Sequence, residues 1–266
     1  MDYHYIIFAV TSFFSSFILC FFTKRLFFKL NIIDTPNERS SHSQPAILSG
    51  GVAFLIAFSS ISIAFFQNIF FNHFLIFLGL GCLFLISFID DIKSISNKLR
   101  FFVHFFTANM FYFSNIKLLS IDIPFIHIPL STTISYILTI FFIVSMINIY
   151  NFMDGIDGYS TGIGIFSSLS FCYLFSNSGN IILSYLSLIL AFVLLGFLTF
   201  NFPMPKAQMF MGDVGSAVLG AIFALLSLKY SMHSIDINYS IFIPILILSI
   251  FIFDATLTLF IRLLKK

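Results

Sequence analysis

Long apolar runs alternate with short polar breaks along almost the whole chain. A membrane-spanning helix needs about 20 mostly apolar residues. Nine stretches fit that length: 4–23, 50–67, 74–90, 100–116, 131–150, 159–176, 181–200, 214–231 and 240–261. The breaks at 68–73, 177–180 and 232–239 are short and carry no cluster of reactive side chains. Those at 24–49, 91–99, 151–158 and 201–213 hold nearly all the ionisable groups. Segment 115–132, NIKLLSIDIPFIHIPLST, alternates and contains two prolines, which predicts a short extended or hairpin element. No domain boundary, low-complexity tract or internal repeat interrupts the series. Residues 1–266 therefore read as a single integral membrane domain, an all-α polytopic protein with about nine transmembrane helices.

Composition strengthens this picture. Charged residues make up 9% of the chain and hydrophobic residues 59%, against about 25% charge in soluble domains. Such a sequence cannot clothe itself in a water-compatible surface. Phe is abundant at 41 and Trp is absent, so Tyr must supply any aromatic belt at the membrane interface. Cys20, Cys82 and Cys172 lie singly inside apolar runs and show neither a disulfide framework nor metal-ligand spacing. No cleavable signal peptide is evident, because basic residues follow the first apolar run instead of preceding it.

The net charge of +2 matters less than where the charge lies. Eleven of the 13 basic residues fall on one side of the predicted spans, and only Lys117 and Lys229 on the other. The asymmetry predicts that the eleven face the cytoplasm, with the N-terminus outside and the C-terminus inside. Asp34, Glu38, Asp90, Asp91, Asp154, Asp157 and Asp213 then all lie at cytoplasmic ends of spans. Asp90 and Asp154 are 64 residues apart and Asp154 and Asp213 are 59 apart, each enough for two spans and a return. Acidic clusters distant in sequence are thereby brought to one membrane face.

Each cluster has a chemical and a bland reading. In FIDDIKSISNKLR, the adjacent carboxylates of Asp90 and Asp91 repel unless a cation or proton sits between them. They imply a Mg²⁺ site or a general base; the bland alternative is a solvated helix end neutralised by Lys93, Lys98 and Arg100. In NFMDGIDG, the hard oxygen donors of Asn151, Asp154 and Asp157 suit Mg²⁺ better than zinc. The i, i+3, i+6 spacing would put the three near one helix face, against the alternative of a helix end and loop. In MFMGDVGS, Asp213 is either an ordinary N-cap or part of a helix N-terminus that receives phosphate. The polar stretch DTPNERSSHSQPAILSGG offers Asp34, Asn37, Arg39, Ser40, Ser41 and His42, a mixture suited to a phosphorylated or sugar ligand or to a solvated loop. Asp254 lies within the last run, where a carboxylate is either functional or paired. The histidines at 4, 73, 104, 127 and 233 show no ligand spacing.

Taken together, DTPNERSSH, DDIKSISNKLR, NFMDGIDG, FNF…FMGDVGS and DATLTLFIRLLK resemble the polyprenyl-phosphate N-acetylhexosamine-1-phosphate transferases, glycosyltransferase family 4. They occur in the family's order and cover about residues 31–266; RSSH looks closer to the O-antigen or aminosugar branch than to the peptidoglycan branch. The resemblance implies a bacterial plasma-membrane enzyme whose active site faces the cytoplasm. It would transfer an aminosugar-1-phosphate from a UDP-N-acetylaminosugar to undecaprenyl phosphate, release UMP and initiate O-antigen or another surface polysaccharide. By the same resemblance Asn151 and Asp213 bind Mg²⁺, and Asp90 is the base or nucleophile with Asp91 beside it as the catalytic pair. Asp154, Asp157, Asn201, Arg39, His42 and Lys98 would contact substrate. Relatives suggest a homodimer, and no nucleic acid is implied.

The sequence also departs from the family pattern. A basic residue and a glycine are replaced in PAILSGG, at Leu48 and Ser49, and the stretch from Asn201 to Asp213 is two residues longer than usual. The family's basic, histidine-containing cytoplasmic loop and last spans would begin where the chain stops at Lys266. Two other readings follow: an inactive or partner-dependent truncated relative, and an ion-coupled transporter. The concentration of acids at one face argues against the transporter, whose pathway should carry ionisable groups through the membrane.

Overall fold

The computed structural model describes residues 3–34, 46–123, 126–202, 207–232 and 240–264. Its elements run α1 (Tyr3–Lys29), β1 (Ile33–Asp34), β2 (Ala46–Leu48), α2 (Gly50–Asn72), α3 (Phe74–Ile92) and α4 (Asn97–Phe113). The hairpin strands β3 (Ser120–Ile123) and β4 (Ile126–Pro129) follow, then α5 (Thr132–Met153), α6 (Tyr159–Asn177) and α7 (Ile181–Asn201). The chain continues through β5 (Met209–Phe210), α8 (Gly212–Ser231), α9 (Phe242–Ile247) and α10 (Ser249–Leu264).

Helix stands at all nine predicted places, with the last divided at Leu248 into α9 and α10. Among the described residues, six helices are long and apolar enough to cross a membrane: α1, α2 as far as Asn68, α3, α5, α7 and α8. The others fall short for readable reasons. Helix α4 has only 17 residues and begins Asn-Lys-Leu-Arg. Serines and glycines dilute the apolar content of α6, and α10 has 16 residues. This is the architecture of an all-α polytopic membrane protein.

The chain forms two compact units, each drawn from several segments. The first comprises Met1–Phe74, Phe84–Ile95 and Asp154–Ser216. Within it α7 packs against α1, α2 and α6. Apolar side chains gain little by leaving lipid for protein, so close packing and interhelical hydrogen bonds must hold these helices together. Ser16 illustrates this: from α1 its buried hydroxyl donates to the Val193 carbonyl of α7 at 2.6 Å. A three-stranded sheet that the apolar pattern did not predict joins the polar segments, in the order β1-β2-β5. β1 and β2 are antiparallel, Ile33 opposite Ile47; β2 and β5 are parallel, with Ile47 opposite Met209 and Leu48 opposite Phe210. The pairing continues into α2, where Gly51 N–H donates to the Met211 carbonyl at 2.9 Å. Only glycine fits here, since a Cβ at residue 51 would lie 2.4 Å from Gly215 N.

The second unit comprises Leu75–Leu83, Ser96–Met153 and Ala217–Lys266. Tyr150 is fully buried at its centre, stacked on Phe223 and edge-on to Phe251. Helices α4 and α5 pack together, with the Tyr136 hydroxyl donating to Asn109 Oδ1 at 2.9 Å. The predicted extended element is present as the antiparallel β3–β4 hairpin, Ile121 opposite Ile128. Asp122 on this hairpin accepts from the Ser120 hydroxyl at 2.6 Å and pairs with His127.

Candidate functional site

Within the first unit, helix ends gather the predicted aspartates. Asp90 and Asp91 close α3, Asp154 and Asp157 occupy the turn before α6, Asn201 ends α7, and Asp213 stands in the first turn of α8. None of these positions requires a polar residue inside a span, so a mostly apolar sequence can still assemble a polar cluster.

Asp91 reaches across 122 residues to the start of α8. Its Oδ1 accepts the Asp213 N–H at 2.8 Å and its Oδ2 accepts the Val214 N–H at 3.2 Å. The first N–H groups of a helix have no partner within it, and a carboxylate also complements the positive end of the helix dipole. Gly212 makes the approach feasible: its φ is +72°, and a Cβ there would lie 2.7 Å from Asp91 Oδ2. Asp90 turns to its own loop, where Oδ1 accepts the Ile95 N–H at 2.8 Å.

Asn201 is 5% exposed, and both ends of its amide bond within the protein. Its Oδ1 accepts from Gly158 N–H at 3.0 Å and from the Thr161 hydroxyl at 2.7 Å, while Nδ2 donates to the Met209 carbonyl at 3.0 Å. One side chain thus ties the Asp154–Asp157 turn to β5, the strand that delivers Asp213. The turn ends on Gly158 at φ +71°, and Ser160 then donates to the Asp154 carboxylate.

Burial pushes the Asp154 carboxyl well above its ordinary pKa of 3.8. The neighbouring charges of Asp213, Asp91 and Asp157 push in the same direction, and the Ser160 hydrogen bond only partly opposes them. Asp154 therefore feels three other carboxylates. This concentration of hard anionic oxygen invites either protons or a hard divalent cation, and the donor type fits Mg²⁺. Among the described residues no three His, Cys, Asp or Glu side chains already form a metal cage.

The other sequence-predicted residues belong to the second unit or fall outside the described residues. Asn151 and Lys98 belong to the second unit, where Asn151 Oδ1 accepts from Arg100 Nη2 at 3.0 Å and Lys98 is exposed in the first turn of α4. Arg39 and His42 lie outside the described residues. Asp254 is exposed on α10, and Arg262, two turns further on, sits over the Phe152 ring at 5.3 Å. Sequence reasoning missed Gly212, Ser160, Thr161 and the bond from Arg100 to Asn151. For Ser160 and Thr161 the signal was available, as hydroxyl residues opening a helix directly after an Asp-Gly turn.

The family model described as glycosyl transferase family 4 matches residues 73–231. A probable undecaprenyl-phosphate N-acetylglucosaminyl 1-phosphate transferase of Bacillus subtilis is 30% identical over 246 residues, 91% of this chain and 67% of the relative. Phospho-N-acetylmuramoyl-pentapeptide-transferases are also similar. The Staphylococcus aureus protein is 30% identical over 203 residues, and that of Staphylococcus saprophyticus is 33% identical over 202. Each of those alignments covers 69% of this chain, which spans 62% of their length.

Proposed function

Because the chain belongs to glycosyl transferase family 4, we propose that it transfers an N-acetylaminosugar-1-phosphate from a UDP-sugar to undecaprenyl phosphate. A lipid-phosphate oxygen forms a bond to the sugar-bearing phosphorus, the diphosphate linkage breaks, and UMP leaves with the bridging oxygen. The product is a lipid diphosphate sugar, the first intermediate of an O-antigen or another surface polysaccharide. The observation that carries the reading is the gathering of Asp91, Asp154, Asp157 and Asp213 around one set of helix ends, with Asp154 held above its ordinary pKa.

Two anionic phosphates must approach each other in this reaction, and bound Mg²⁺ would offset their charge. Asp213 and Asn151 are the proposed residues that hold it. Asp90 either takes the proton from the lipid phosphate as its oxygen attacks, or first attacks the sugar-bearing phosphorus and expels UMP, the lipid-phosphate oxygen then displacing the carboxylate. Asp154, Asp157 and Asn201 shape the nucleotide pocket, and Arg39, His42 and Lys98 contact substrate. The site faces the cytoplasm of a bacterial plasma membrane, nine helical segments span the bilayer, and the protein works as a homodimer. An acceptor with a membrane-embedded tail and a charged head supports placing the carboxylates at a membrane face.

The test uses purified protein in detergent with undecaprenyl phosphate, Mg²⁺ and a panel of UDP-N-acetylaminosugars, recording UMP. Release with one sugar, lost on adding EDTA, is expected. Asp90→Asn and Asp213→Asn should each abolish it while inserting into membranes normally. Turnover persisting in both variants would remove the proposed site.

A further inference from the structure

We infer that Asp91 is a positioning residue: its carboxylate clamps the first turn of α8 and so aims Asp213, instead of meeting substrate. The inference rests on the transferase reading for what Asp213 does, but the clamp itself is a matter of contacts. Both Asp91 oxygens accept backbone N–H groups, from Asp213 at 2.8 Å and Val214 at 3.2 Å. Gly212 leaves the carboxylate room, since its φ is a left-handed +72° and a Cβ added there would lie 2.7 Å from Asp91 Oδ2. From inside the helix, the Ser216 hydroxyl closes the same turn by donating to the Gly212 carbonyl at 2.9 Å. Successive helical residues point about 100° apart, so the neighbouring carboxylate cannot share this task. Asp90 instead accepts from Ile95 N–H within its own loop. The aspartate pair is thereby divided, with Asp91 assigned to the architecture of α8.

A residue acting through charge on a substrate fails when made neutral. One acting as a hydrogen-bond acceptor tolerates a neutral acceptor. Asp91→Asn keeps a carbonyl oxygen for one N–H, and Asp91→Ala keeps none. Hydrogen exchange of the Asp213 and Val214 amides, followed by mass spectrometry on metal-free protein in detergent, reads the clamp without any turnover. Asp91→Ala should speed their exchange on the order of tenfold, the usual size of a lost helix cap. Asp91→Asn should keep near-wild-type protection at the one amide its carbonyl oxygen can still accept and lose it at the other, while Asp90→Asn should stay near wild type at both. The same loosening should weaken binding of Mn²⁺, used as the probe ion and followed by its paramagnetic resonance, about tenfold in Asp91→Ala. Asp91→Asn should retain measurable UMP release with an unmoved pH profile. Wild-type exchange at Asp213 and Val214 in Asp91→Ala would overturn the clamp. So would complete loss of turnover in Asp91→Asn while α8 stays protected. Should the wild-type protein release no UMP with any sugar, the transferase reading falls, and the exchange result still decides the role of Asp91.

Discussion

At Asp154, one carboxyl group is held by burial and by the negative charge of Asp213, Asp91 and Asp157, so that folding raises its proton affinity. Below pH 3.8 both folded and unfolded states keep the proton, and the group costs nothing. Above it the unfolded chain ionises readily while the folded protein resists, so stability falls as pH rises. Asp154→Asn should accordingly raise the melting temperature of metal-free protein in detergent at pH 7 and leave it almost unchanged near pH 4. An equal effect at both values would mean that the surrounding carboxylates do not act on residue 154. Adding Mg²⁺ should shrink the gain by stabilising the wild type. These aspartates were legible in the sequence because charge is conspicuous in a chain with 9% charged residues. The use made of Asp91 and Asn201 was not legible. Their partners include backbone N–H and C=O groups, which have no signature in the sequence, and Asp213 lies 122 residues from Asp91.

Among the elements, the long apolar runs announced the helices, and the alternating segment announced the β3–β4 hairpin. The sheet β1-β2-β5 escaped notice because its strands have two or three residues, too few to show a period of two. Its β2–β5 pairing also joins Ile47 to Met209, positions no local pattern connects. That pairing runs straight into the Gly51–Met211 contact, so the entry of α2 and the approach to Asp213 share one backbone seam. Gly51→Ala would put a Cβ 2.4 Å from Gly215 N, with no flexible side chain to yield. Forced overpacking of this kind destabilises by about 1–3 kcal/mol. Gly81, on α3, provides the contrast, since nothing lies within 4 Å of its added Cβ. Gly81→Ala should be neutral or stabilising by up to about 1 kcal/mol through helix propensity. Thermal unfolding of the two variants in one detergent checks the difference, and equal melting temperatures would contradict a tight seam.

For the whole molecule, the distribution of Lys and Arg makes a claim that apolarity alone cannot. Lys93 lies among the eleven basic residues predicted to face the cytoplasm, and Lys117 is one of the two predicted outside. In a variant lacking Cys20, Cys82 and Cys172, a thiol introduced by Lys117→Cys should react with an impermeant reagent added to intact cells. One introduced by Lys93→Cys should react only after the membrane is opened, and the reverse pattern would invert the proposed topology. The division into interleaved units carries a further consequence, for synthesis. The first unit draws on segments 1–74, 84–95 and 154–216, so its helices α1 and α2 enter the membrane long before α7 exists to receive them. Asp91 leaves the ribosome 122 residues ahead of the N–H groups it will hold. At roughly 5–20 residues per second, that carboxylate waits about 6–24 seconds at the bilayer edge. The nascent protein must therefore keep an anionic helix end hydrated, and out of the lipid, until the start of α8 arrives to complete it.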